Sequence, residues 1–207
     1  RTGRMDGRLA TVVLCSLMVW TVVGLNPNRQ LFVDYDDDCI EEEGPYGETG
    51  WSCASHLTNS PTVPTSVHQL RAGDIKVVAA FGDSLTAGNG AGACNLGEVA
   101  LEYRGRVFSI GGDQDLDTLV TLPNILRKFN PNLIGQANGI GQWTNEPIAH
   151  LDMGVPGEKA KDIPDQAKAL VKRIKEDYSS QIDINRDWKL VTIFIGANDM
   201  CAYCNYP

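Results

Sequence analysis

The sequence predicts an α/β fold with a mainly parallel sheet, and three observations carry that expectation. An apolar, β-branched run at Ile75–Phe81 stops at a Gly-Asp pair; an amphipathic helical pattern follows from about Ile163 to Tyr178; a second apolar run fills Trp188–Ile195. Strand, helices, strand is the order of a sheet whose strands run parallel and are joined by crossovers. The 207 residues suffice for one domain with a proper core and a small appendage. At 43% hydrophobic and 21% charged, the composition is globular.

The elements follow in order. Met5 and Arg8 precede an apolar run, Leu9–Val23, and Val22-x-Gly24 can serve as a cleavage site, so residues 1–24 read as a secretory signal with a ragged start upstream of Met5. The run falls short of the ~20 residues that span a bilayer comfortably. Residues 25–63 read as an irregular acidic leader. They carry Asp34, Asp36, Asp37, Asp38, Glu41, Glu42, Glu43 and Glu48, and no Lys or Arg stands between Arg29 and Arg71. Residues 64–207 read as the N-terminal part of the folded domain. Ile75–Phe81 is a buried strand by length and β-branching. A short helix is expected around Thr121–Phe129, with Pro123 in its first turn and Asn130-Pro131 ending it. For the helix from Ile163, Asp162 is the expected cap, and Ile163, Ala167, Leu170, Val171 and Ile174 the apolar stripe. Trp188–Ile195 is the second buried strand.

Charge and cysteines narrow the function. A net charge of −8 argues against a nucleic-acid partner held by electrostatics. Behind a secretory signal, Cys39 and Cys53 are expected to pair. Cys201-x-x-Cys204 reads as two half-cystines awaiting downstream partners, and the odd number of cysteines after Cys15 leaves with the signal suggests a chain that stops early.

Several motif readings fail. Gly82-Asp-Ser-Leu-Thr86 has Thr86 where a G-x-S-x-G elbow needs glycine. Gly88-Asn-Gly-Ala-Gly-Ala93 begins too far beyond the strand for a dinucleotide fingerprint. Asp34-x-Asp36-x-Asp38 lacks the glycine and glutamate of a calcium loop. His56 and His68 stand outside any metal-ligand spacing, so neither a metal nor an organic cofactor is expected. What remains is a pair of similar junctions. One apolar strand ends in Gly-Asp-Ser84 and the other in Gly-Ala-Asn198-Asp. Parallel strands would bring Ser84 and Asn198 to one sheet edge, a nucleophile beside a neutral donor, as acyl transfer requires.

Phe81-Gly-Asp-Ser-Leu-Thr86 and Ile195-Gly-Ala-Asn-Asp199 resemble blocks I and III of the GDSL, or SGNH, hydrolase superfamily, and Asp152-Met-Gly-Val-Pro-Gly157 resembles block II, with Asp152 in place of the usual Asn. Longer segments, among them Pro64–Arg71, Ser109–Asp113, Thr121–Pro131 and Asp187–Cys204, resemble the membrane-associated phospholipase B family of animals. The resemblance implies a three-layer α/β/α fold and a serine esterase of phospholipids, lysophospholipids or other lipid esters. It meets the membrane surface through its substrate or through a C-terminal anchor absent here. Ser84 would be the nucleophile, with the Ser84 and Gly157 N–H groups and the Asn198 amide as the oxyanion hole. The family's base is a His with an Asp three residues before it, near the domain's C-terminus. No Asp-x-x-His follows Asn198, and His150 lies in no such context, so the catalytic Asp and His are expected to be missing and the chain itself inactive. A carbohydrate or short-acyl esterase is the second reading, and a non-catalytic lipid- or partner-binding module the third.

Overall fold

The computed structural model describes Gly47, Gly50, Ser52 and residues 58–203. The signal, most of the acidic leader, the Cys39–Cys53 pairing and Cys204 lie outside the described residues. Cys94 takes part in a disulfide. Among the described residues two strands, β1 (Ile75–Gly82) and β2 (Trp188–Phe194), are joined to five α-helices: α1 (Ser84–Ala87), α2 (Leu122–Arg127), α3 (Glu146–Ala149), α4 (Ile163–Glu176) and α5 (Ala197–Tyr203).

β1 is the centre of the sheet. It pairs in parallel with β2 from Ile75↔Trp188 to Gly82↔Phe194. Its other edge is taken by two short parallel pieces. Val78 N–H donates to Ile134 O at 2.8 Å, Ala80 N–H to Leu151 O at 3.2 Å, and Met153 N–H to Ala80 O at 2.9 Å. With both edges hydrogen-bonded and both faces covered, Val77 to Gly82 are all buried, as a β-branched apolar run requires.

Alternation along β1 builds two cores. Val77, Ala79 and Phe81 pack with Leu151, Met153, Leu170, Ile174, Tyr178 and Ile182 beneath α4. Val78 and Ala80 face the other way, onto Val107, Ile110, Leu126, Leu133 and Ala137. The fold is therefore an α/β layering with a parallel sheet between two covers. One cover is the long helix α4. The other is α2 with 3₁₀ turns and irregular chain. Thr121 caps α2, its hydroxyl accepting the Asn124 N–H at 3.2 Å, and Pro123 sits in the first turn as expected.

Three expectations need correction. Asp162 does not cap α4. Its backbone is already helical in a preceding 3₁₀ turn, Ala160–Asp162, and its carboxylate turns back to accept the Lys159 N–H at 2.9 Å. Val171 is not in the stripe but 43% exposed; the inward face is rotated toward Gln166 and Arg173, both buried. β2 is not uniformly buried. Leu190 packs inward, but Val191, Ile193 and Phe194 stay exposed because β2 is the outer strand among the described residues.

These placements separate two apolar residues. Leu151→Ala should lower the unfolding free energy by about 2–5 kcal/mol, because it opens a cavity beside β1. Val171→Ala should stay within about 0.5 kcal/mol. Urea denaturation of the two variants checks the assignment.

Candidate active site

Gly82 is where the sheet ends and the site begins. A Cβ there would lie 1.9 Å from Thr86 Oγ1 and 2.5 Å from Phe194 O, so only glycine lets α1 fold back so tightly over the strand. Asp83, fully buried, follows as the N-cap, its Oδ1 accepting the Leu85 N–H at 3.0 Å. Ser84 is thus the first residue of α1, half-buried at the carboxyl edge of the sheet, while Leu85 points to the surface. The Thr86 and Ala87 N–H groups bond back to Asp83 O. As a first-turn amide, the Ser84 N–H has no helical acceptor, and no acceptor among the described residues takes it.

Gly157 comes from the opposite edge. Val155 N–H donates to Gly82 O at 3.1 Å, and Val155-Pro-Gly-Glu158 then turns, closed by Glu158 N–H to Val155 O at 3.3 Å. Proline followed by a glycine at φ +83° is the signature of a type II turn. The N–H of the third residue in such a turn points away from the closing bond. Gly157 N–H accordingly has no acceptor among the described residues.

Asn198 arrives from β2. Phe194 is level with Gly82, Gly196 turns the chain at φ +121°, and Asn198 opens the first turn of α5. Its side chain crosses the end of β1, and Nδ2 donates to Glu158 O at 2.8 Å. Asp199 adds a second tie, accepting the Ala160 N–H at 2.9 Å. One Nδ2 hydrogen fixes the Asn198 amide; the other is open. The structure thus gathers the Ser84, Gly157 and Asn198 segments at one sheet edge. Beneath them Gln166 holds both the N–H and the C=O of Gly82, at 2.9 and 2.7 Å, and also meets the Glu158 carboxylate.

Residues 78–207 match the family of GDSL-like lipases and acylhydrolases. The chain belongs to that family. It is 51% identical to the membrane-associated phospholipase B1 of Homo sapiens over 148 residues, 47% identical to that of Mus musculus over 160, and 49% identical to that of Rattus norvegicus over 148. These alignments cover 70–76% of the chain and 10–11% of the relatives, so the chain spans about a tenth of their length. No solved structure matches it.

Within this GDSL framework, Asp152 has a partner that its sequence position did not disclose. Its carboxylate and the Arg104 guanidinium are both fully buried and form an ion pair at 2.7 Å. Arg104 also pairs with Glu102 at 2.6 Å and donates to Gly141 O and Gly154 O at 2.8 and 2.7 Å. Asp152 Oδ1 accepts the Gly154 N–H at 2.9 Å. Burial pushes the Asp152 carboxyl up to about 6, with Arg104 holding it down against that pull. The Asp in the block II position is thus built into the scaffold beneath the Gly157 turn.

The histidines serve elsewhere. His68 is exposed in a 3₁₀ turn. His150 places Nδ1 2.8 Å from the Tyr178 hydroxyl, which donates to Glu146. Burial lowers the His150 pKa, and Glu146 opposes that shift. Burial and Glu146 together raise that of Tyr178. Neither histidine contacts Ser84. Gln166 and Arg104 escaped the sequence reading. The Pro156-Gly157 pair is the local signal of the Val155–Glu158 turn.

Two outcomes follow for Asp152. Asp152→Ala strands a buried guanidinium charge and should cost about 3–5 kcal/mol at neutral pH. The folded-state pKa lies above the unfolded value, so this group's contribution to stability is full at acid pH and is lost as pH rises toward about 6. The stability difference between the wild type and Asp152→Asn should therefore drift against the wild type between about pH 4 and about 6 and then level off. Denaturation across that range measures it.

Proposed function

We propose that Ser84 is the nucleophile of a serine esterase that cleaves acyl esters of phospholipids and lysophospholipids. The observation that carries this reading is the convergence of three unspent donors: the Ser84 N–H, the Gly157 N–H and the second hydrogen of the Asn198 amide. They come from three segments tied together at one sheet edge, the edge at which Ser84 begins α1. In acylation, Oγ would attack the ester carbonyl as its proton passes to a base, and the three donors would take the charge that develops on the carbonyl oxygen. The leaving alcohol or lysolipid departs with a proton, and water then releases the fatty acid from the acyl-enzyme.

The lipid substrate class is supported by the matched relatives, which are phospholipases B1 described as membrane-associated. Among the described residues no helix is long and apolar enough to cross a membrane. A membrane partner therefore enters this reading through the lipid substrate, and the secretory pathway through the N-terminal signal pattern. Activation is the second half of the proposal: the Ser84 proton needs a base, and neither described histidine stands beside it, His150 being held by Tyr178 and His68 lying exposed in a 3₁₀ turn.

Fluorophosphonate labelling of the intact protein, read by mass spectrometry of the peptide bearing Ser84, tests the reading at this one site. Ser84→Ala should abolish the label, and Asn198→Ala should slow it about 100-fold or more, the usual loss for one oxyanion donor. Lysophosphatidylcholine should compete with the probe. No label on Ser84, or labelling at an undiminished rate in Asn198→Ala, would sink the assignment.

A further inference from the structure

Gln166 lies on the inward face of α4, beside Ile163, Ala167, Leu170 and Ile174, and it is 4% exposed. A buried carboxamide in an apolar stripe must spend its polar capacity, and this one spends it in one place. Oε1 accepts the Gly82 N–H, and Nε2 gives its two hydrogens to Gly82 O and the Glu158 carboxylate. Along this edge of β1 the Ala80 N–H bonds to a strand carbonyl, Leu151 O, but the next amide, that of Gly82, goes to Gln166. The side chain thus replaces the strand where it peels away into the Gly157 turn. Glu158 is gripped twice, by Gln166 through its carboxylate and by Asn198 through its carbonyl.

We propose that Gln166 is a positioning residue for acyl transfer, fixing the Ser84 turn and the Gly157 turn at a constant separation. The inference rests on the Ser84 reading above. Its physical ground is that two oxyanion donors on different chain segments must both reach one oxygen at about 2.7–3.1 Å. The direct tie between those segments is the Val155 N–H to Gly82 O bond, which fixes one point and leaves the turn free to pivot. Gln166 supplies the second point. A misplacement of about 1 Å costs on the order of 100-fold in rate. Only a neutral carboxamide has both polarities here: leucine offers none, and a carboxylate would face Gly82 O and Glu158 with acceptors alone.

The test is the rate of fluorophosphonate labelling at the Ser84 peptide in the intact protein, separated into probe affinity and the maximal labelling rate. Gln166→Leu should lower the maximal rate about 100-fold with affinity little changed. Gln166→Glu should approach the wild-type rate at acid pH, where the introduced carboxyl is protonated and can donate, and should fall away from it as pH rises. Adding Glu158→Gln to that variant should flatten the pH dependence, since the new amide donates to the introduced carboxylate. Such a profile separates positioning from a general loss of packing, and it decides the matter if Gln166→Leu fails to fold. Wild-type labelling rates in both Gln166 variants at all pH values would overturn the inference and leave the Ser84 reading intact. Absence of label in the wild type would overturn the Ser84 reading. In that event hydrogen exchange of residues 155–160 still judges the tie: faster exchange in Gln166→Leu, with α4 still protected, supports it, and unchanged exchange overturns it.

Discussion

A guanidinium with no access to water governs how this domain is assembled. A guanidinium taken out of water must be surrounded by acceptors, and the chain supplies them to Arg104. Four groups do so: the Glu102 and Asp152 carboxylates and the carbonyls of Gly141 and Gly154. They belong to three stretches of chain, at residues 102, 141 and 152–154. The pair need not add net stability over an apolar substitute, but each half is costly without the other. Asp152 and Gly154 lie on the short edge piece that pairs with Ala80 and Gly82. The ion pair thus fixes where that edge stops, and the edge fixes where the Val155–Glu158 turn can stand.

What was legible in the sequence and what was not divides along the range of the interactions. β1, α4 and β2 were visible because β-branched runs and a 3.6-residue stripe are local patterns. The Gly-Asp-Ser and Gly-Ala-Asn junctions were visible because a strand that ends in glycine must turn. Val171 was misplaced because it neighbours Leu170 and is apolar, whereas Gln166 and Arg173 occupy the true inward face and look like solvated positions. A polar residue on a buried face is recognisable only when its partners are known, and two of the three bonds of Gln166 go to Gly82, 84 residues away. Arg104 and Asp152 were hidden in the same way. Asp162 failed as a cap because a 3₁₀ turn already occupied the backbone before it.

The two covers of the sheet differ in kind, and the site uses the difference. α4 is a regular helix whose side chains can deliver a hydrogen-bonding group to a fixed point, as Gln166 does. The opposite cover is α2 with short turns and irregular chain, packed on β1 through Val107, Ile110, Leu126, Leu133 and Ala137, and Gly82 lets α1 begin within two residues of the strand. Ser84 therefore takes its position from the Gly82 turn and, in the proposed site, its alignment with Gly157 from the helical side.

Two of the three donors proposed to serve Ser84 are backbone amides, and conformation alone exposes them. The Ser84 N–H is open because it sits in the first turn of a helix, and the Gly157 N–H because it is the third residue of a type II turn. Side-chain replacement cannot delete either one directly. Their chemistry is vulnerable only through residues that set backbone geometry, namely Asp83, Pro156, Gln166 and the Arg104–Asp152 pair. Asn198 is the exception, a donor carried by a side chain. One hydrogen is already committed to Glu158 O, so the residue must supply two donors from a single nitrogen. Aspartate supplies none when ionised, and serine supplies one that the Glu158 carbonyl would consume. In the proposed site, an amide is the smallest group that can anchor the Val155–Glu158 turn and still face the reacting oxygen.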